Sequence, residues 1–352
     1  MTESARQFVT PLSIETVAEE KVWTDQDLMA ADSPHITLSR QADIMLTAPC
    51  SANTLAKYAN GIADSLLTNC FLSFKKQHVI APAMHTEMWQ HPTTQRNIDH
   101  LTSQGITIAG PGHGDLASGD TGDGRLIHLN HIVDAVQLNQ FPAFSLVGTS
   151  ILITAGGTRE AIDPVRVITN RSTGQLGHLL AVYAALAGAT VRLITTHPFN
   201  TDLPNIKVIP VETVKDMSVA VHAHVKACNR LYMAAAVSDF TVQKSDVKLR
   251  RSDPLPHLTP RPTIDILESV MSIKTEKQKI IGFCLGDKAT LKQTALEKCQ
   301  KKKLDAILAN TNEAFGQTHR DVHFFIKGKK EPLWSGRRSI SEICYKLLTA
   351  ID

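Results

Sequence analysis

The chain has 352 residues, of which 43% are hydrophobic and 20% are charged, and its formal net charge at pH 7 is +3. A domain usually takes about 100 to 200 residues, so this length predicts two domains, and the ordinary composition excludes wholesale disorder. The small charge argues against a nucleic-acid partner, and the lack of a long apolar run argues against a transmembrane helix.

The first residues and the cysteines indicate the cellular compartment. The opening segment, MTESARQFVTPLS, lacks the basic start and apolar core of a signal peptide. The six cysteines are widely spaced and form no C-x-x-C pair, which excludes a zinc ribbon or a disulfide scaffold. We therefore expect a cytoplasmic protein.

The first 140 residues alternate between apolar runs and helical patterns. Strands are predicted at Ala42–Ala48, Val79–Ala83 and Ile106–Ala109, and helices at Ser51–Leu67 and Leu126–Leu138. Ser51 stands near the helix N-cap, and a loop rich in Gly and Asp precedes the last helix. The aperiodic segment at 140–150 contains a proline and predicts a linker between domains 1–140 and 141–352.

The alternation restarts in the second half of the chain. Strands are predicted at Ile151–Ala155, Thr190–Thr195, Lys207–Val211, Arg230–Ala235, Lys279–Phe283 and Ala306–Ala309, and helices at Leu176–Leu186, Val214–Ala227 and Thr290–Lys302. This order predicts an α/β fold of two domains, each a mainly parallel sheet flanked by helices. Ligands of such sheets bind beyond the carboxyl ends of the strands.

The loop after Ile151–Ala155 has several glycines and then Ser172 and Thr173 just before a helix. Free N–H groups at a helix start favour phosphate. The loop matches neither G-x-G-x-x-G nor a Walker A motif. A tight turn followed by a capped helix explains these residues equally well.

Two further segments carry charge. After Arg230–Ala235, Asp239 is placed to form a hydrogen bond or hold a metal, and Lys248, Arg250 and Arg251 could neutralise phosphates. A solvated basic turn is the simpler interpretation of that loop. The run KCQKKK at 298–303 is by itself typical of a charged helix face.

Long motifs in both halves of the chain resemble one protein family. In the second half they are ITAGGTREAIDPVRVITNRSTGQLG, and AAAVSDF followed by KLRR; in the first half they are TAPCSANTLAKYANGIADSLLT, APAMHTEMW and ASGDTGDGRL. They resemble the bifunctional coenzyme A biosynthesis flavoprotein of bacteria, which fuses phosphopantothenoylcysteine decarboxylase to phosphopantothenate–cysteine ligase. The resemblance covers nearly the whole chain.

For the second domain, the resemblance implies a ligase that works in two steps. CTP converts the carboxylate of 4′-phosphopantothenate into an acyl-cytidylate, and the amine of cysteine then displaces CMP. Asn170 and Lys248 match the catalytic positions. The implied CTP-binding residues are Met233, Ala234, Ala235, Asp239, Lys248, Ile264, Asp265, Ile266, Leu267, Phe283, Lys298 and Lys302. We expect Mg²⁺ to accompany CTP, and a homo-oligomer to form through dimers of the ligase domain.

For the first domain, the resemblance implies FMN, yet the sequence departs from the family. Met1 aligns inside the family's domain, so we expect the first βα unit with its flavin-phosphate loop to be missing. Ser51, Asn53 and Met84 match the ring-side site, and His35 matches the catalytic histidine.

Two residues of the first domain differ from the family at positions that the decarboxylation uses. His85 replaces a substrate-binding asparagine, and Ser118 replaces the cysteine that protonates the intermediate. A hydroxyl is a much poorer proton donor than a thiol. The sequence therefore predicts a ligase whose first domain does not decarboxylate. A fully bifunctional enzyme and a non-catalytic regulatory relative are the alternatives.

Overall fold

The computed structural model describes residues 1–250, 259–311 and 318–351. Contacts divide the chain into two units. The first unit comprises Met1–Ala143 with Asp202–Pro204, and the second comprises Phe144–Thr201 with Asn205–Asp352. Within the described residues, no helix combines the length and apolarity that crossing a bilayer requires.

The first unit contains a three-stranded sheet and a separate hairpin. Its helices are α1 (Pro11–Ala18), α2 (Pro34–Gln41), α3 (Ala52–Asn60), α4 (Leu66–Ser73), α5 (Thr86–Gln90), α6 (Pro92–Ser103) and α7 (Leu129–Leu138). Its strands are β1 (Ile44–Cys50), β2 (Gln77–Pro82), β3 (Thr107–Ile108), β4 (Gly112–Asp115) and β5 (Thr121–Arg125). The sheet is parallel in the order β1-β2-β3, and β4 pairs with β5 in an antiparallel hairpin.

The predicted helix Ser51–Leu67 is two helices in the structure. Ser51 does cap α3, because its side chain accepts a hydrogen bond from the Thr54 N–H. Gly61 then adopts a left-handed backbone with φ of 67° and ends the helix. Ser65 caps the separate helix α4. The two helices pack together through parallel stacking of Tyr58 on Phe71, with ring centroids 3.8 Å apart.

The second unit is built on one eight-stranded sheet. Its helices are α8 (Gln175–Leu186), α9 (Val214–Val225), α10 (Ile266–Met271), α11 (Leu291–Lys301) and α12 (Ile340–Thr349). Its strands are β6 (Ser150–Ala155), β7 (Arg159–Ala161), β8 (Val167–Thr169), β9 (Thr190–Thr195), β10 (Ile206–Pro210), β11 (Arg230–Met233), β12 (Phe240–Thr241), β13 (Arg261–Pro262), β14 (Lys279–Gly286), β15 (Ala306–Thr311), β16 (His319–Ile326) and β17 (Trp334–Ser339). The sheet order is β10-β9-β6-β11-β14-β15-β16-β17.

The sheet is parallel from β10 to β15, as the sequence predicts, whereas β16 and β17 run antiparallel. β7–β8 and β12–β13 form two small antiparallel pairs outside it. The carboxyl ends of β6, β11, β14 and β15 therefore meet at one edge of the sheet. Helix α8 begins at this edge, where a Cβ on Gly177 would lie 2.7 Å from the Cβ of Ala155. Glycine at this position lets the helix pack closely against β6.

Candidate functional site

A cavity of about 700 Å³ lies at the carboxyl-end edge of the large sheet. It is lined by residues 169–177, 233–239, 263–267 and 283–285, and by Lys298, Lys302, Asn310 and Arg320. Ligand pockets usually measure about 300–1,000 Å³. The cavity is therefore large enough for a nucleotide or a substrate of similar size.

Asn170 connects the two loops that form one wall of this cavity. Its Nδ2 donates to the main-chain carbonyls of Ala236 at 3.1 Å and Val237 at 3.4 Å. The Ala236 N–H in turn donates to the Gly156 carbonyl at 2.8 Å. The Asn170 amide is therefore held by main-chain acceptors, which orients its carbonyl oxygen.

Buried threonines below these loops set their shape. The Ala235 N–H donates to Thr154 Oγ1 at 3.2 Å, and the Ser238 N–H donates to Thr158 Oγ1 at 2.9 Å. Both threonines are fully buried. The loop after β11 thus donates hydrogen bonds to buried side chains of β6 and of the loop that follows β6.

Two lysines of helix α11 and its C-cap line the opposite wall. Lys298 Nζ donates to the Phe283 carbonyl at 2.9 Å. Lys302 forms ion pairs with Asp265 and, at 2.8 Å, with Glu268. Burial opposes the charge of Asp265, but the hydrogen bonds from Lys302 and the Glu268 N–H, together with the charges of Lys302 and Lys298, outweigh it and lower the pKa of that carboxyl. Both lysines of the predicted contact thus lie in the cavity, while Lys301 is exposed.

The structure brings almost all the residues expected for the ligase into this one cavity. They are Asn170, Met233, Ala234, Ala235, Asp239, Ile264, Asp265, Ile266, Leu267, Phe283, Lys298 and Lys302. Lys248 is the exception: it is exposed and is not among the residues that line the cavity. Arg251 lies outside the described residues.

Asn310 and Arg320 are among the polar residues of the cavity that sequence reasoning missed. Asn310 follows the predicted strand Ala306–Ala309 directly, so the rule that ligands bind beyond carboxyl ends was a usable signal. Arg320 lies in β16, whose strand was not predicted.

In the first unit, a carboxylate joins two of the predicted residues. Asp120 Oδ2 accepts from Ser118 Oγ at 2.9 Å and lies 3.1 Å from His85 Nε2. The Glu87 N–H donates to Nδ1 of His85, so Nε2 carries the ring proton and donates to Asp120. Hydrogen bonds from His85 and Ser118 lower the pKa of Asp120. The sequence analysis did not single out Asp120.

The other predicted residues of the first unit lie at or near the sheet. Ser51 and Asn53 are exposed at the start of α3, just after β1. Met84 follows β2, and its N–H donates to the Gly124 carbonyl of β5 at 2.8 Å. Nδ1 of His35, in α2, is buried and has no hydrogen-bond partner within the described residues.

Comparisons with known proteins agree with this two-part arrangement. Residues 146–352 match the family described as DNA/pantothenate metabolism flavoprotein C-terminal domain, and residues 1–140 match the family described as Flavoprotein. The coenzyme A biosynthesis bifunctional protein CoaBC of Bacillus subtilis is 37% identical over 345 residues, which are 95% of this chain and 84% of that protein. The chain belongs to the CoaBC family.

Two further proteins are similar to this CoaBC family member. A cysteine/cysteine sulfinic acid decarboxylase from an unknown prokaryotic organism is 38% identical over 319 residues, which are 86% of this chain and 87% of that protein. The structure of a DNA/pantothenate metabolism flavoprotein from Streptococcus pneumoniae superimposes with a TM-score of 0.50 at 27% identity, covering 58% of this chain and 98% of that one. The family places the chain among coenzyme A biosynthesis enzymes.

Proposed function

We propose that the second unit is a CTP-dependent phosphopantothenate–cysteine ligase. The observation that carries this proposal is that all the matched residues except Lys248 line one cavity. Residues so far apart in the chain have no structural need to share a cavity, whereas a common ligand requires it.

In the proposed first step, a carboxylate oxygen of 4′-phosphopantothenate attacks the α-phosphorus of CTP. An O–P bond forms, and the bond to the pyrophosphate leaving group breaks. Lys298, Lys302 and Lys248 supply positive charge against the triphosphate, and the first N–H groups of α8 supply further donors. In the second step, the cysteine amine attacks the acyl carbon, the C–O bond to cytidylate breaks, and CMP leaves.

Asp239 is our proposed contact to Mg²⁺. Within the described residues, no group of three or more His, Cys, Asp or Glu is placed to hold a metal ion. Mg²⁺ that arrives with a triphosphate needs only one or two protein carboxylates. Asp239 is exposed at the cavity and fits that requirement. The metal would neutralise phosphate charge.

For the first unit we propose that phosphopantothenoylcysteine is not decarboxylated. The hydroxyl proton of Ser118 points to Asp120, so the residue at the expected proton-donor position is already hydrogen-bonded to a carboxylate. The buried, unpartnered Nδ1 of His35 and the exposed Ser51 and Asn53 suit contacts to the ring of FMN. The matched residues include no counterpart for its phosphate loop, so the fit is incomplete and we derive no step through flavin.

We also propose that the protein forms homo-oligomers through its second unit. Large apolar side chains in and between the strands of the β7–β8 and β12–β13 pairs are exposed, among them Val165, Phe240 and Val247. Exposed large apolar side chains of this kind can be buried by protein–protein contacts. Sedimentation equilibrium would show a monomer if this proposal is wrong.

A direct assay tests the ligase. Purified protein is given 4′-phosphopantothenate, cysteine, CTP and Mg²⁺, and the products are followed by mass spectrometry. We expect pyrophosphate, CMP and phosphopantothenoylcysteine in equal amounts. Failure to release pyrophosphate from CTP in the presence of 4′-phosphopantothenate would overturn the proposal.

A further inference from the structure

Asn310 and Arg320 lie on neighbouring strands at the edge of the sheet that forms the cavity. β15 and β16 pair antiparallel with Asn310 opposite Val322. Arg320 comes two residues before Val322, so it lies further toward the carboxyl end of β15, on the cavity side. Both side chains line the cavity. Neither residue is among those that match the ligase positions of the family.

Both side chains carry polar atoms that are sealed from solvent and unpaired. Asn310 is 7% exposed, and its Oδ1 has no hydrogen-bond partner among the described residues. Arg320 is partly buried, and its Nε likewise has no partner there. A buried acceptor and a buried N–H donor that each lack a hydrogen-bond partner cost free energy in an empty site. A bound ligand that satisfies both would remove that cost.

The ammonium groups of Lys298 and Lys302 have partners in the structure, whereas the guanidinium of Arg320 has no ion-pair partner among the described residues. Lys302 is paired with Asp265 and Glu268, and Lys298 donates to a main-chain carbonyl. Within the described part of the chain, Arg320 makes no ion pair. A guanidinium remains charged at neutral pH and binds carboxylates through two parallel N–H groups. Arg320 is thus available to an anionic group of a ligand.

We propose that Arg320 and Asn310 bind the amino-acid co-substrate of the ligase, Arg320 through the α-carboxylate and Asn310 Oδ1 through the α-amine. This assignment rests on the proposed ligase function. An amino acid presents an anionic acceptor and an N–H donor on adjacent carbon atoms, which complements a guanidinium and an amide oxygen on neighbouring strands. A phosphate would satisfy Arg320 alone, because its oxygens cannot donate to Asn310 Oδ1.

The assignment gives both residues a positioning role in the second step. The α-ammonium first loses a proton to solvent, and Asn310 Oδ1 accepts one remaining N–H so that the lone pair faces the acyl carbon. The new C–N bond then forms, the nitrogen loses its second proton to solvent, and the C–O bond to cytidylate breaks so that CMP leaves with that electron pair. Proper orientation of the amine increases the rate of this attack.

The test compares two nucleophiles, cysteine and cysteamine, which lacks the carboxylate. The parent protein should prefer cysteine in kcat/KM, and Arg320→Gln should lower that preference about tenfold to a hundredfold, the effect of one charged hydrogen-bonding group. The ratio is measured on one preparation, so a smaller folded fraction does not alter it. Arg337→Gln, at an exposed arginine of β17, should keep the parent's preference.

A second variant and a separate half-reaction complete the test. Asn310→Asp places a carboxylate beside Arg320 and should raise the KM for cysteine more than that for CTP. Pyrophosphate release without cysteine should persist in both variants. If the preference for cysteine is unchanged while the KM for CTP rises, Arg320 binds phosphate and the assignment is wrong. If the parent itself releases no pyrophosphate, the ligase proposal fails and this assignment fails with it.

Discussion

The main-chain N–H of Leu249 donates a hydrogen bond to Oδ2 of Asp163, 86 positions earlier in the chain, over 3.2 Å. The same carboxylate oxygen accepts from the Arg166 guanidinium at 2.7 Å, and that guanidinium also donates to the Leu249 carbonyl at 3.1 Å. Leu249 and Asp163 are both buried. These contacts fasten the segment that carries Lys248 to the turn between β7 and β8.

Asp163→Asn should therefore lower the thermal stability of the second unit. Burial opposes the charge of Asp163, but hydrogen bonds from the N–H groups of Val165, Arg166 and Leu249 outweigh it and lower the pKa of the carboxyl. A carboxyl with a lowered folded-state pKa stabilises the fold above its unfolded pKa of about 3.9, and this stabilisation is lost as pH falls through the folded pKa. The difference in Tm between parent and variant should be largest near neutral pH and shrink in acid. Asp246→Asn, at an exposed carboxyl of the same segment, should match the parent.

Lys248→Gln should slow the ligase about a hundredfold or more while leaving the fold intact, since one preorganised charge at a reacting centre commonly contributes this much. Initial rates of pyrophosphate release measure the effect, and circular dichroism checks the fold. Lys244→Gln, at an exposed lysine of the same loop, is the matched control. A parent-like rate for Lys248→Gln would show that the exposed position seen in the structure is its working position and that it does not contact CTP.

Lys302→Gln should raise the KM for CTP about tenfold to a hundredfold. The substitution removes a cation from the cavity wall and also leaves Asp265, which lines the cavity, without its ion-pair partner, so its negative charge faces the incoming triphosphate. Steady-state kinetics with CTP varied measure the change. Lys301→Gln, on the exposed side of the same helix, should leave the KM unaltered, and an unaltered KM in both variants would contradict the nucleotide contact.

The protein should accumulate phosphopantothenoylcysteine without releasing carbon dioxide. Ser118 is a weak acid whose proton is bound to Asp120, and His85 is bound to the same carboxylate. Stoichiometric carbon dioxide from the parent would instead establish the bifunctional enzyme.

His178 should make the stability of the second unit depend on pH. Burial, with a smaller contribution from His197, lowers the pKa of His178 to about 4, and its Nε2 lies 2.9 Å from Thr195 Oγ1. The unfolded imidazole has a pKa of about 6.5, so the unfolded state binds more protons between these values and stability falls as the solution is acidified. The slope for one such group is at most about 1.4 kcal/mol per pH unit.

Denaturant unfolding at several pH values between about 4 and 7 measures this slope. His178→Gln can keep a hydrogen bond to Thr195 and should flatten the pH dependence. His319→Gln, at an exposed histidine, should retain the parent's slope. Equal slopes in all three proteins would show that His178 is not the responsible group.

Local patterns in the sequence predicted the buried strands well. Thr190–Thr195 was predicted at its observed bounds, and the observed β6 adds only Ser150 to the prediction. Both are short runs rich in Val, Ile, Leu and Thr, which is the composition of a buried strand. Elements without such a run were missed. β4 and β5 consist mostly of Gly, Asp and other polar residues, so the segment reads as a loop.

The sequence by itself determined the family, the alternating α/β order and twelve of the residues that line the cavity, because these are carried by contiguous motifs and by periodicity. Only the tertiary structure decided which side chains pair across long separations. Lys302 with Asp265 and Asn310 beside Arg320 depend on the order and register of strands and on how helices pack against them. A strand's hydrophobic pattern does not specify its neighbour, so no local reading of the chain could have placed Arg320 in the cavity.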